Sequence, residues 1–223
     1  FESNYYPSES LLALAAAQAR YPSAANRRAM LRLLHYLANG WWEVNETART
    51  VKKPAKPPLF DHWGMIGLSR ALPLLREDDV TAWAPAGRWS LAALRRTALD
   101  YCEGELARQV KAGAGEVHGH FYHMGTRSTP TAIRLEGLSA VYAYFQEAGT
   151  AAEKERVAGW ESGLAAGRRF LLRCQYTGAE GRRWKGDLDP RGGIRFALEL
   201  DRERNGVIRI DYCQHAASAL LGW

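Results

Sequence analysis

Residues 128–145 read STPTAIRLEGLSAVYAYF. The stretch opens on hydroxyls and a proline, then runs apolar or small on nearly every side, broken by Arg134 and Glu136. Proline is tolerated in the first turn of a helix, where its missing N–H costs nothing, so it marks a beginning. A helix that is apolar all round has to be buried all round. Two charges inside it are costly unless they are paired or wetted. Being two residues apart, Arg134 and Glu136 point to different sides and cannot satisfy each other. The stretch therefore predicts an inner helix with polar company, either a water-filled functional cavity or a ring of ion pairs.

Three more stretches share this design: YYPSESLLALAAAQAR (5–20), FDHWGMIGLSRALPLL (60–75) and IRIDYCQHAASALLGW (208–223). Between them lie segments of another kind, at 25–44, 89–111 and 151–176. In the first of these, Met30, Leu33, Leu34 and Leu37 recur at i, i+3, i+4 and i+7, with Arg27, Arg28 and Arg32 on the other side. That is an amphipathic helix with one wet face. Buried and amphipathic helices alternate along the chain, as in an array of helical hairpins. The fold expected is all-α: an α/α toroid or partial toroid of helical hairpins, whose inner helices start at one end of the ring.

The connections agree. Pro54, Pro57 and Pro58 exclude a helix there. FALEL and VIRI flank DRERNG, which ends in Asn-Gly, so a small β-hairpin insertion is expected. No linker is visible, and residues 1–223 are expected to form one domain. The fourth inner helix has no outer partner in the sequence. This predicts truncation at the C-terminus, or a partner chain or oligomer covering that side. The chain starts at Phe1 without a Met, as a processed or trimmed product would. A removed signal peptide would make it periplasmic or secreted; otherwise it would be cytoplasmic.

Composition narrows the partners. Hydrophobic residues make up 47% of 223, enough for a sizeable core. No apolar run approaches a membrane span. Cys102, Cys174 and Cys213 are odd in number and far apart, which predicts free thiols. A nucleophilic Cys213 served by His215 is disfavoured, since residues two apart on a helix diverge. The net charge of +6 attracts acidic partners. The arginines are scattered, and no helix-turn-helix, RNP or zinc-finger pattern appears, so no nucleic-acid partner is expected. The eight tryptophans and ten tyrosines serve as core, or as platforms for sugars or bases.

The first turns of the inner helices hold the candidate chemistry. Glu9, Asp61, Glu136, Asp211 and His215 are the candidate catalytic residues. Tyr6, His62, Trp63, His120, Arg127, Arg134, Trp184, Arg195 and Gln214 are candidates for holding substrate. Each has a plain structural alternative. Asp61 fits an N-cap, and Asp211 with Gln214 fits a capping box. His62 can simply pack beside Trp63. Asp211 and His215 lie one turn apart, a spacing that suits either a structural contact or a general base. His118, His120 and His123 invite a metal, but no nearby carboxylate or cysteine completes a set, and no metal or cofactor is expected.

The openings YYPSES, FDHWGM, TPTAIRLEG and DYCQHAAS resemble, at the level of architecture, the α/α-toroid glycan-active enzymes. These include the six-hairpin glycosidase-like group and its relatives among uronate and amino-sugar epimerases and polysaccharide lyases. The stretch from FLLRCQY through RGGIRF to IRIDYCQHAASALL is also similar to a hairpin repeat of terpenoid-cyclase and prenyltransferase toroids. The first resemblance implies a cleft at one end of the ring, lined by acids, His, Tyr and aromatic residues. The chain carries at most four hairpins, fewer than the six of the glycosidase group. The function expected is a hydrolase, lyase or epimerase acting on an acidic polysaccharide or oligosaccharide. The alternatives are a non-catalytic helical scaffold in polysaccharide modification or export, and an isoprenoid-binding toroid, against which the charges at the inner helix starts argue.

Overall fold

A computed structural model describes residues 6–40, 61–82, 89–111, 115–121, 126–181, 189–198 and 207–222. The chain is all-α over these residues, and it divides into two compact units, Phe1–Tyr101 and Cys102–Trp223.

The first unit is built on α1 (Tyr6–Arg20), α2 (Ala24–His35), α3 (His62–Ala71) and α4 (Glu77–Thr81), with the start of α5 (Leu91–Ala107). Ser23 caps α2 by accepting from the Asn26 N–H at 3.0 Å. The extended backbone of Asp61 caps α3, its Oδ1 accepting from Gly64 N–H at 2.6 Å. These caps satisfy amides that the helix itself leaves unpaired. α1 packs on both α2 and α3. A Cβ on Gly67 would sit 3.0 Å from the Leu12 nitrogen and 3.2 Å from the Leu11 side chain, so α1 and α3 approach closely at a glycine. Ser8 faces Asp61 where both helices begin, and Leu11 and Leu12 face Gly67 further along. The two helices therefore run parallel. Leu11, Met30, Leu34 and Ile66 are fully buried. Arg27 of α2 is ion-paired with Asp79 and donates to the Leu74 carbonyl at 3.1 Å.

The second unit is organised around α6 (Ser128–Ala148), against which α7 (Ala151–Ala158), α8 (Glu161–Arg173) and α10 (Ile210–Leu221) pack. The short α9 covers Gly178–Gly181. Between α6 and α7 lies a two-residue stop and restart. Gly149 N–H still donates to Phe145 O at 2.9 Å, and Thr150 then opens a capping box with Glu153. α8 meets α6 at Gly167, where a Cβ would lie 2.7 Å from the Leu135 side chain. Gly119, at φ +95°, presses against the Ala166 carbonyl, a conformation and a gap that admit only glycine. Arg168 of α8 joins α6 to α10, donating to Ser139 Oγ and to Ala219 O, each at 3.2 Å. Phe145 and Phe170 are the largest fully buried side chains among the described residues.

Several boundaries differ from the sequence reading, for identifiable reasons. The helix expected over 60–75 is α-helical to Ala71 and then tightens to a 3₁₀ turn at Leu72–Leu74, where Pro73 removes an amide donor. The helix expected over 151–176 is two helices, divided at Gly159 and Trp160. The one expected over 25–44 is regular to His35 and widens to a π turn at Tyr36–Gly40. The expected β-hairpin reduces, among the described residues, to isolated antiparallel bridges: Arg195 with Ile208, Gln175 with Ile194, and Arg127 with Ala197. Its DRERNG turn lies outside the described residues, as does the loop with Pro54, Pro57 and Pro58. No helix among the described residues is long and apolar enough to cross a membrane. Ile210 and Leu221 are each 87% exposed, so the last helix carries apolar side chains in water.

Candidate acid–base site

In the second unit α6 carries Glu136 nine residues into a buried helix, and α10 carries His215 one turn and a half from its start. Because these helices run side by side, the two side chains meet: His215 Nδ1 lies 2.8 Å from Glu136 Oε2. The Glu136 carboxylate is almost wholly buried, with 2% of its side chain exposed, against 15% for His215. The imidazole titrates above its ordinary value. The hydrogen bond to Glu136 is the largest cause; burial opposes it, and the negative charges of Glu136 and Asp211 add to it. A carboxylate held on Nδ1 fixes the tautomer and turns Nε2 into the nitrogen that exchanges protons.

Asp211 sits half-buried in the first turn of α10, with its Oδ1 2.9 Å from Arg209 Nε. The expected Asp211–Gln214 capping box is absent: α10 starts after Arg209 without a side-chain cap bond, and Gln214 is exposed. Arg134 and Glu136 do leave α6 on different sides. Arg134 donates from Nε to buried Glu105 at 2.8 Å, and from Nη1 to Pro130 O at 2.9 Å. Glu105 also accepts from Arg108 at 2.6 Å. Both charges of the opening stretch are thus met by ion pairs. Arg127 is the N-cap residue of α6, exposed, with its guanidinium 5.0 Å from the centre of the Phe196 ring. Arg195 is buried and directed at protein carbonyls, Cys174 O at 3.2 Å and Gln175 O at 3.3 Å, over the Tyr176 ring. Its role there is to hold the 194–197 segment. His120 is buried edge-on to Phe170. His118 is half-buried, and its carbonyl accepts from Arg173 at 2.5 Å. Among the described residues, neither His118 nor His120 joins a cluster of three metal-ligating side chains. His123 and Trp184 lie outside the described residues.

The first unit has an acid of its own. Asp61 caps α3, and its carboxyl is pushed up to about 6. Burial is the largest cause. Bonds from Gly64, Ser8 and Trp63 pull the other way, and the charge of Glu9 pushes it higher. Oδ2 is buried and has no hydrogen-bond partner among the described residues. Glu9 is half-buried in the first turn of α1, beside exposed Tyr6. His62 packs beside Trp63, with 5.1 Å between ring centres and the rings tilted by 39°. Within each unit, then, the structure gathers its own candidates: Glu9, Asp61, His62 and Trp63 in the first, Glu136, Asp211 and His215 in the second.

Sequence reasoning missed Ser8 and Glu105. Ser8 is fully buried and faces Asp61 from another helix, and Glu105 is 3% exposed and anchors Arg134 across 29 residues of chain. A hydroxyl in a first turn and an acid in an amphipathic helix carry no signal in themselves. The three cysteines are free, as expected. Burial pushes Cys174 up to about 12 and Cys102 higher still, so neither is a ready nucleophile. No protein-family model, curated protein or solved structure matches the chain.

Proposed function

We propose that the chain is a carbohydrate-active enzyme on an α/α-toroid or partial-toroid scaffold, acting on an acidic polysaccharide or oligosaccharide. The observation that carries the reading is the 2.8 Å contact between Glu136 and His215. A buried carboxylate that orients an imidazole is the arrangement general-base chemistry requires. Of the reactions open to a glycan-active enzyme, this favours removal of the proton beside a uronate carboxyl, as in a lyase or epimerase, over hydrolysis by two carboxylates. His215 takes the proton at Nε2, and Glu136 stabilises the imidazolium that results. Arg134 and Arg195 are directed at Glu105 and at carbonyls, so the carboxylate contact is assigned to the exposed Arg127 at the amino end of α6.

The test is turnover of a uronate oligosaccharide. His215→Asn is expected to lower kcat by a factor of about 10²–10⁴, the usual worth of a positioned base. The working base is the neutral imidazole, so the rate should rise with pH through the raised titration of His215. In Glu136→Gln that limb should move to lower pH, because the group that holds the proton has gone. Full activity in His215→Asn would overturn the acid–base reading, and absence of turnover in the wild type would leave the scaffold reading, in which the chain binds a polymer without converting it.

A further inference from the structure

On the first unit, a hollow of about 360 Å³ opens on the wet side of α2, lined by Arg28, Leu31, Arg32, His35 and Ala82. Arg28, Arg32 and His35 fall at i, i+4 and i+7, so one helix face brings them to the hollow. All three are exposed. Neighbouring Arg27 is ion-paired with Asp79, whereas Arg28 and Arg32 have no ion pair or hydrogen bond from their side chains among the described residues. Among the described residues no acid lines the hollow, and its remaining walls are the apolar Leu31 and Ala82.

We propose that this face of α2 is a binding site for a stretch of carboxylated glycan, distinct from the acid–base site. The proposal rests on the acidic-glycan reading for its choice of polymer, and on the charge and shape of the hollow for its location. Two guanidinium forks four residues apart, about 6 Å along the axis, can each take one carboxylate in bidentate fashion. The apolar wall between them suits the C–H face of a sugar ring. A nucleic acid fits less well. Its bases need an aromatic platform, which the described lining residues do not offer, and its affinity needs more phosphate contacts than two or three cations supply.

The experiment is titration of the full chain with a short oligogalacturonate, followed by calorimetry and by backbone amide shifts. Binding should perturb α2 and weaken with salt at a log–log slope of about −2, as for two charges neutralised. Arg28→Ser/Arg32→Ser should weaken it at least tenfold with unchanged thermal unfolding, and Arg28→Lys/Arg32→Lys should weaken it less. His215→Asn should bind at this face like the wild type, so loss of turnover and loss of this site are read separately. Equal affinity in the double serine variant overturns the proposal. So does equal binding of an uncharged glycan, or tighter binding of a single-stranded oligonucleotide of matched charge.

Discussion

Both units place two apolar helices side by side and parallel, and in both that pair carries an acid out of water, but they treat the acid in opposite ways. In the first, Asp61 spends one oxygen on the Gly64 amide and leaves the other buried without a partner. Burial wins over the bonds, and the carboxyl holds its proton up to about pH 6. In the second, Glu136 is buried more deeply yet has an imidazole 2.8 Å away. There the partner shifts instead: His215 keeps its proton longer than a histidine in water. A buried acid can be kept neutral or be paired, and the packing of the neighbouring helix decides which. α1 offers Asp61 a hydroxyl and another carboxylate, whereas α10 offers Glu136 a base.

Removing the partner gives the largest effect. Glu136→Ala takes away half of a buried pair and leaves a void, and should cost about 3 kcal/mol in denaturant unfolding. A cost below 1 kcal/mol would mean that the pairing contributes little to the second unit. The wild-type pH profile should separate the two acids. The folded-state values of Asp61 and His215 are both raised, so each contributes stability at low pH that is lost as pH rises. For Asp61 the loss spans about pH 4 to 6. For His215 the contribution is complete below its ordinary value near 6.5 and falls as pH climbs through the raised one. Amide exchange in α3 and in α10 should report these windows separately.

Asp61→Asn keeps a cap but abolishes the charge. It should stabilise at pH 7 by about 1 kcal/mol, discounted for partial exposure, with no gain at pH 4. A loss at pH 7 would show that Asp61 is ionised and paired there. Ser8→Ala removes a bond that holds the Asp61 carboxyl down, so its titration should move higher when followed by NMR. Arg209→Ala comes last. Its pair with Asp211 is exposed, and the change should be within about 0.5 kcal/mol.

The helices were legible because punctuation marks them: Pro7, Asp61 and Thr150 stand where helices begin, and Gly149 where one stops. Apolar character all round correctly marked α3 and α6 as buried helices, whereas α1 and α10, read in the same way, bury only three residues each. What could not be read was pairing across distance. Glu136 and His215 are separated by 79 residues, and no spacing rule spans that interval. The two charges of α6 announced that partners must exist, without saying that one would be Glu105 and the other His215. Arg195 misled because a buried arginine aimed at carbonyls and an exposed one awaiting a carboxylate look alike in sequence.

Arg168 adds a constraint of its own. By gripping Ser139 on one helix and the Ala219 carbonyl on the other, it works as a register latch. Were α10 to slip one notch along α6, the latch would open and the imidazole would slide past its acid. The alignment of Glu136 with His215 is thus guarded from a point further down the helices, where a mutation would touch neither of them.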